Sequence, residues 1–378
     1  MNILFVLTYY RPHWTGLTKY AALLAEGLAK KDHNVEVLCS RHNKDLPLRQ
    51  EINQVKVFRL PYLFRFLRSV VMPGFPVELW KRIKKNEVIV AYLPLQEALL
   101  VAIFCKLQNR KLFLVHNGDL VLPRDGNFLN RLVEKIYFWS TFLSIRLSKK
   151  VIVQTEDYSN YSVLLSKLKD KWSVILPLFK VPEITNDDVD EFKNKYLLKR
   201  KKLIGFSGRF VEEKGIEFLL ESIPQVIKEI PNAHFVLAGD YKIQYEKYWD
   251  RISGLIEKSK KHLTLLGLIN DQRELFAFYK SLDVYVQPSV TDCFPSSQIE
   301  AMLSGVPSVC TDIPGARWPV GVSKMGKIVK AKNAKALAEG IVKVIKERNN
   351  YSNKIDKVKE IFDYQKTLLN YERLFREN

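Results

Sequence analysis

The sequence of 378 residues lacks any apolar run long enough to cross a membrane as a helix. Such a span needs roughly 18–20 consecutive apolar residues. The longest stretches, 88–95 and 98–105, are shorter and are parted by Gln96 and Glu97. The start does not read as a secretory leader. Met1–Leu7 is apolar but has no basic flank, and Tyr9, Arg11 and His13 follow at once. The expectation is therefore a cytoplasmic protein. Cysteine is scarce: Cys39, Cys105, Cys293 and Cys310 form no CxxC pair, and none has a histidine at zinc-ligand spacing. That pattern argues against a disulfide framework or zinc module and fits thiols buried in a reducing compartment. Glycine is scarce where a nicotinamide dehydrogenase needs it. The loop after Ile3–Leu7 carries one, Gly16, in place of G-x-G-x-x-G. There is no short-period repeat and no low-complexity tract.

Acid is scarce in the first half. Residues 1–180 hold 28 Lys+Arg against 14 Asp+Glu, whereas the remainder holds 32 against 27. The formal net charge of +19 is thus concentrated at one end and predicts an anionic partner there: phosphate, nucleic acid or an acidic membrane. No recognition-helix or RNA-binding signature accompanies the charge, so nucleic acid is not expected.

What is present is an ordinary globular balance, 47% hydrophobic and 27% charged, in a chain of two-domain length at ~100–200 residues each. Short apolar runs recur at Ile3–Leu7, Val35–Cys39, Val55–Leu60, Val88–Leu93, Lys111–His116, Val151–Gln154 and Val174–Leu176. Between them lie helical patterns at Leu17–Lys30, Gln96–Gln108 and Asn127–Ser148. Unalternated strands separated by helices predict an α/β fold with a parallel, doubly wound sheet. Residues 181–202 change character, with Pro182, an acidic stretch and a basic one, and read as a linker with a short helix. The pattern then restarts with strands at Leu203–Phe206, His234–Ala238, Leu263–Leu266, Val284–Gln287 and Ser308–Thr311. The expected division is 1–180, linker 181–202, second domain 203–350 and charged helices over 351–378. Two Rossmann-like units predict a cleft at the carboxyl ends of their strands.

Two segments carry chemistry. In QPSVTDCFPSSQIEAMLSG, Gln287–Gly305, a strand ends, a loop carries Asp292, and Pro295 and Ser296 open a helix that carries Glu300. Proline suits a first helical turn, whose free N–H groups and dipole suit phosphate or sugar oxygens. Two carboxylates suit a hydroxyl-rich ligand because each accepts O–H donors firmly. In LIGFSGRFVEEKG, Leu203–Gly215, a strand runs into Gly208 and Arg209, with Lys214 at a helix start. Arginine forks to two oxygens and lysine is a point charge, a pairing suited to a diphosphate. Taken alone, each segment also reads as a solvated loop. Asp188 and Asp190 form the only DxD, inside the acidic linker, where a solvated run explains them.

Together these segments resemble family 4 of the retaining GT-B glycosyltransferases. Its acid, seven residues, second acid, Ala-Met and Gly stand here as Asp292, Glu300, Ala301, Met302 and Gly305, with Phe294 between the acids. Its Gly-Arg…Lys-Gly element stands as Gly208, Arg209, Lys214 and Gly215. Its phosphate loop stands as Pro12, His13, Trp14, Thr15 and Gly16, and its N-domain histidine as His116. Asp292 replaces the usual Glu, Pro295 a common Gly, and Thr15 the first loop Gly.

The resemblance implies two facing domains with an interdomain cleft, a hexose moved from a UDP- or GDP-linked donor, and no metal. It implies no cofactor, the nucleotide-sugar being a co-substrate. It assigns Glu300 to the ribose, Asp292 to donor-sugar hydroxyls, and Arg209 and Lys214 to the departing diphosphate. Gly16 and His116 would serve the donor sugar, with Gly208, Phe294, Pro295 and Ser296 completing the donor loops. Backbone at Leu268 and Ile269 would read the nucleobase edge. The last helix is expected to pack on the first domain, which binds the acceptor in this family. Residues 41–150 hold 20 Lys+Arg against 8 Asp+Glu. There Arg65 and Arg68 interleave with Tyr62, Phe64, Phe66, Val70, Val71, Met72 and Phe75, followed by Trp80, Lys81, Arg82, Lys84 and Lys85. The helix at Asn127–Ser148 adds Phe128, Trp139 and Phe142. Apolar and basic residues so mixed predict a lipid-linked saccharide or glycolipid acceptor, reached by a peripheral enzyme on an anionic inner leaflet. A small phosphorylated acceptor, a sugar phosphorylase and an inactive scaffold of this fold are the alternatives.

Overall fold

The structure is a computed structural model describing residues 1–13, 15–66, 69–120, 128–241, 243 and 247–377. Expectations placed on Trp14 and Arg68, and on the side chains of Arg65, Phe66 and Phe128, lie outside the described residues. The chain forms two compact units, Met1–Phe179 with Asp363–Asn378, and Lys180–Phe362.

The first unit contains β1 (Asn2–Val6), β2 (Asn34–Ser40), β3 (Arg49–Ile52), β4 (Val55–Leu60), β5 (Arg65–Phe66), β6 (Ser69–Val70), β7 (Val88–Leu93), β8 (Lys111–His116), β9 (Lys150–Val153) and β10 (Trp172–Val174). Eight form one sheet in the order β10-β9-β8-β7-β1-β2-β4-β3, while β5 and β6 make a separate hairpin. Pairing in the sheet is parallel except where β3 runs antiparallel to β4. Helices α1 (Gly16–Ala29), α2 (Phe75–Lys85), α3 (Ala98–Leu107), α4 (Phe128–Leu147) and α5 (Glu156–Tyr161) join the strands.

Central strands read as unbroken apolar runs because both faces are covered. In β1, Ile3 and Phe5 enter the core shared with α1, and Leu4 and Val6 enter the opposite core shared with α2 and α3. In β7, Val88, Val90 and Tyr92 take the first side and Ile89, Ala91 and Leu93 the second. Val70, Met72 and Phe75, expected at a lipid-facing surface, are buried in that second core instead. The C-terminal helix Tyr364–Arg376 belongs to the first core through Leu368, Tyr371, Leu374 and Phe375. The Phe375 and Phe113 rings lie 5.0 Å apart, and Glu372 accepts from Lys31 and His33, each at 3.1 Å.

The second unit contains β11 (Lys202–Ser207), β12 (Ala233–Ala238), β13 (Leu263–Gly267), β14 (Val284–Gln287), β15 (Ser308–Thr311) and β16 (Gly326–Val329). They form one parallel sheet in the order β13-β12-β11-β14-β15-β16. Its helices are α6 (Asn186–Lys195), α7 (Ile216–Glu229), α8 (Tyr248–Ser259), α9 (Gln272–Ser281), α10 (Ser296–Leu303), α11 (Arg317–Ser323), α12 (Ala334–Lys346), α13 (Arg348–Ser352) and α14 (Ile355–Ile361). The acidic stretch read as a solvated run starts α6: Thr185 caps it in a capping box with Asp188. Arg273 then holds Asp188 with two bonds of 2.6 and 2.9 Å. Winding reverses between β11 and β14. Ligands of open α/β sheets bind outside the carboxyl ends of the strands at such a switch point.

Candidate active site

The loops leaving β11 and β14 lock together by backbone. Gly215 has φ +61, and a Cβ there would stand 2.4 Å from the Pro288 carbonyl oxygen. The Val290 N–H donates to the Glu213 carbonyl at 2.9 Å. This contact sets Lys214 beside Asp292. Nζ and Oδ2 are 2.6 Å apart, with side chains 18% and 7% exposed. Gln287 Nε2 at 3.2 Å and Ser289 Oγ at 3.3 Å also donate to Asp292 Oδ2. Behind it, Asp292 bridges to Gly315, whose φ of +89 and backbone contact leave no room for a Cβ. Burial is the strongest influence on Lys214 and pulls its pKa down. Asp292 and Glu213 outweigh it, and the pKa rises, so the group stays an ammonium. Burial, then Asp292, pushes the neighbouring Cys293 thiol up to about 12, which keeps it neutral.

Arg209 follows Gly208 at the mouth of the same loop, half exposed and 3.3 Å from Glu213. Gly239 crosses so close to Gly208 that a Cβ would lie 1.8 Å from the Gly208 carbonyl oxygen. Phe294 is buried, and Pro295 stands at the start of α10 with no side-chain cap. The first-turn N–H groups from Ser296 onward thus receive no cap from the Pro295 side chain. Glu300, one turn further, is buried and accepts from Tyr279 Oη at 3.1 Å. Burial, then the Glu300 carboxylate, raises Tyr279 well above its ordinary value and keeps it a proton donor. Tyr279 Oη is also 3.2 Å from Ser207 Oγ. Ser207 N–H donates to Tyr285 Oη at 3.2 Å, and Tyr285 Oη lies 3.2 Å from Gln287 Oε1. A continuous polar chain thus links Asp292 to Glu300 through Gln287, Tyr285, Ser207 and Tyr279. Sequence reasoning missed these four. The available signal was polar groups in or at the ends of otherwise apolar strands for Ser207, Tyr285 and Gln287, and a tyrosine on the buried side of α9 for Tyr279. Leu268, 64% exposed, and Ile269 follow Gly267 at the end of β13, two strands from the switch point.

In the first unit, Gly16 opens α1 just beyond β1. Thr15, standing where the family has glycine, caps that helix in a box with Thr18. His116 ends β8 and is buried. Its Nδ1 accepts from the Gly118 N–H at 3.3 Å, which leaves Nε2 to donate to Asp119 Oδ1 at 3.2 Å. Ser162 Oγ donates to the same oxygen at 2.9 Å. Burial alone raises the Asp119 pKa, but His116 and Ser162 outweigh it and hold the carboxyl below its usual value. Arg209, Lys214 and Asp292 therefore lie on the switch-point loops of one unit with Glu300 on the helix that follows, while in the other Gly16 opens α1 and His116 ends β8.

Residues 188–361 match the model described as "Glycosyl transferases group 1". Residues 14–177 match "Glycosyltransferase Family 4". The chain belongs to glycosyltransferase family 4. This glycosyltransferase is 28% identical to the capsular polysaccharide biosynthesis glycosyltransferase CapM of Staphylococcus aureus over 45% of this chain and 43% of that one. It is 27% identical to the phosphatidyl-myo-inositol mannosyltransferase of Mycobacterium tuberculosis over 48% of this chain and 50% of that one. Each match spans about half of the relative's length. The fold is GT-B: HepE of Anabaena, solved in complex with UDP-glucose, superposes with a TM-score of 0.77 at 16% identity, covering 99% of both chains. Among the described residues no helix is long and apolar enough to cross a membrane.

Proposed function

We propose that this glycosyltransferase moves a hexose from a UDP- or GDP-linked donor, with retained anomeric configuration and without a metal, to a lipid-linked saccharide or glycolipid. It would work as a peripheral enzyme at the inner face of the membrane. The observation that carries the donor reading is the Lys214–Asp292 pair at the switch point, 2.6 Å apart, with Glu300 on the adjoining helix. Breaking the anomeric C–O bond places negative charge on the leaving diphosphate and positive charge on the ring. Lys214 and Arg209 stabilise the first, and such preorganised donors act most strongly where charge develops. All three donors to Asp292 converge on Oδ2, and Oδ1 is assigned to donor-sugar hydroxyls. Glu300 takes the ribose hydroxyls, and His116 and Gly16 serve the donor sugar. The acceptor oxygen attacks on the face the diphosphate leaves, and its proton passes to a diphosphate oxygen.

The basic first unit and the likeness to a phosphatidyl-myo-inositol mannosyltransferase support the acceptor class. HepE in complex with UDP-glucose supports the donor class. The test is a panel of UDP- and GDP-hexoses with lipid-linked and soluble phosphorylated acceptors, with the product anomer read by NMR. An inverted product, or turnover confined to sugar phosphates, overturns the reading. Efficient transfer to the soluble acceptors alone moves the acceptor to that second class.

A further inference from the structure

Taking the acceptor to be lipid-linked, as proposed above, the first unit must meet a bilayer, and its two helical faces differ sharply in what they expose. On one face, α1 presents no exposed large apolar side chain and the C-terminal helix presents Leu369, among the described residues. On the other, α4 exposes Leu132, Ile136, Trp139, Leu143 and Leu147. Their spacing of three and four places them in one stripe along the helix. The neighbouring helices extend it: α2 exposes Val77 and Trp80, and α3 exposes Ile103 and Leu107. The three helices are neighbours, α3 packing on both α4 and α2, and the Trp80 ring of α2 sits edge-on against Phe104 of α3 at 4.9 Å.

Cations border the apolar stripe. Lys81, Lys84 and Lys85 of α2, Lys106 of α3, and Arg131 and Lys135 of α4 are all exposed. The acids on these helices are Glu78 and Glu134, both half-buried, and Glu78 is bonded to Arg82. We infer that the outer face of α2, α3 and α4 is a docking surface for anionic phospholipid, with the α4 stripe entering the headgroup boundary and the flanking cations meeting lipid phosphate. Exposed aromatic and aliphatic side chains rimmed by lysine and arginine are the chemistry of interfacial binding. A second copy is a poorer occupant. An isologous interface would set the same cations against one another, in a chain of net charge +19.

The test is flotation of the full chain with phosphatidylcholine vesicles, neutral or with about one-third phosphatidylglycerol. The wild type floats with anionic vesicles and not with neutral ones. The triple variant Ile136→Glu, Trp139→Glu, Leu143→Glu loses about tenfold or more of that binding, as does Lys81→Glu, Lys84→Glu, Lys85→Glu. Leu369→Glu on the opposite face binds as wild type. Donor hydrolysis in solution is unchanged in all three, which also reports that they fold. Vesicle binding undiminished in the α4 variant overturns the surface. So does a wild type that does not float but forms a dimer that the α4 variant breaks. Binding through this face with transfer only to a soluble acceptor keeps the surface and removes the lipid-acceptor reading. Transfer to a lipid-linked acceptor in detergent with no vesicle binding does the reverse.

Discussion

Lys214 reaches Asp292 across two loops that are far apart in sequence, and the pair closes at 2.6 Å because Gly215 lets the Pro288 carbonyl approach. Charge neutralisation by Asp292 holds Lys214 protonated at the place where a diphosphate would depart. Lys214→Ala is expected to lower turnover about 10²–10³-fold, the usual loss when one preorganised donor is removed. Asp292→Asn should lower it less. The double variant should be no worse than Lys214→Ala, since the two groups act as a unit. Turnover at the wild-type rate in folded Lys214→Ala would remove the assigned donor site.

Glu300 is buried with Tyr279 as a donor. Glu300→Ala is expected to reduce transfer by about an order of magnitude or more, with the loss seen chiefly in donor KM, because a hydroxyl-binding carboxylate is removed. Tyr279→Phe leaves a buried carboxylate short of one hydrogen bond, at about 1–3 kcal/mol, and should raise donor KM while sparing kcat. Equal loss in kcat and unchanged KM for both variants would contradict ribose binding by Glu300.

Gly215→Ala tests the interlock. A Cβ would meet the Pro288 carbonyl oxygen at 2.4 Å, on a residue with φ +61, and backbone atoms do not swing aside. The loops must separate, carrying Lys214 from Asp292. The expected result is a folded protein, destabilised by about 1–3 kcal/mol, with transfer falling as far as in Lys214→Ala. A fully active Gly215→Ala enzyme would show that the close approach is dispensable.

The fold was legible because central strands buried on both faces announce themselves as apolar runs, and β1, β7, β11 and β14 lie where such runs fall. The edges were not. β3 reads Arg-Gln-Glu-Ile and is solvent-facing, so it carries no apolar signature. β10 falls on Trp172–Val174 and not on the more apolar Val174–Leu176. Spacing alone places Asp292 before α10 and Glu300 inside it, but the chain that joins them uses Tyr279 and Tyr285. Aromatic residues in a core helix and strand look like packing until their hydroxyl partners are seen. Surface assignment from composition erred for a related reason. Val70, Met72 and Phe75 share the lysine- and arginine-rich context of Trp139, yet they are buried and Trp139 is exposed. Charge context does not say which face of an element meets solvent.

Transfer is expected to persist in a chelator. Lys214 and Arg209 already supply positive charge on the switch-point loops, the role a divalent ion plays between carboxylates and a diphosphate elsewhere. The measurement is the initial rate after exhaustive treatment with EDTA, then after adding Mg²⁺ or Mn²⁺. A rate abolished by the chelator and restored only by a divalent ion would overturn metal independence.

The last prediction concerns the clasp that ties the C-terminal helix to the first unit. Glu372 accepts from Arg376 at 2.9 Å and from Lys31 and His33 at 3.1 Å. The Arg376 bond is the largest influence. With Lys31 and His33 it outweighs burial and lowers the Glu372 pKa from 4.5 to about 2. A carboxylate depressed on folding contributes stability above its unfolded value, and that contribution is lost as pH falls from about 4.5 toward 2. Burial likewise lowers the His33 pKa below 6.5, against the pull of Glu372. The unfolded chain then takes up that proton first, so His33 costs stability as pH falls through 6.5. Both groups have the same sign, and acid should loosen this helix. Glu372→Gln is expected to cost about 1–2 kcal/mol at neutral pH. The cost stays modest because Arg376 is 59% exposed and its pairing is screened by solvent. It should also flatten the loss of stability between pH 4.5 and 2. Hydrogen exchange of the Tyr364–Arg376 amides at pH 7, pH 4.5 and pH 2.5 reads the two effects separately. Wild-type protection at pH 7 in Glu372→Gln, with an unchanged acid response, would show that the helix is held by Leu368, Tyr371, Leu374 and Phe375 alone.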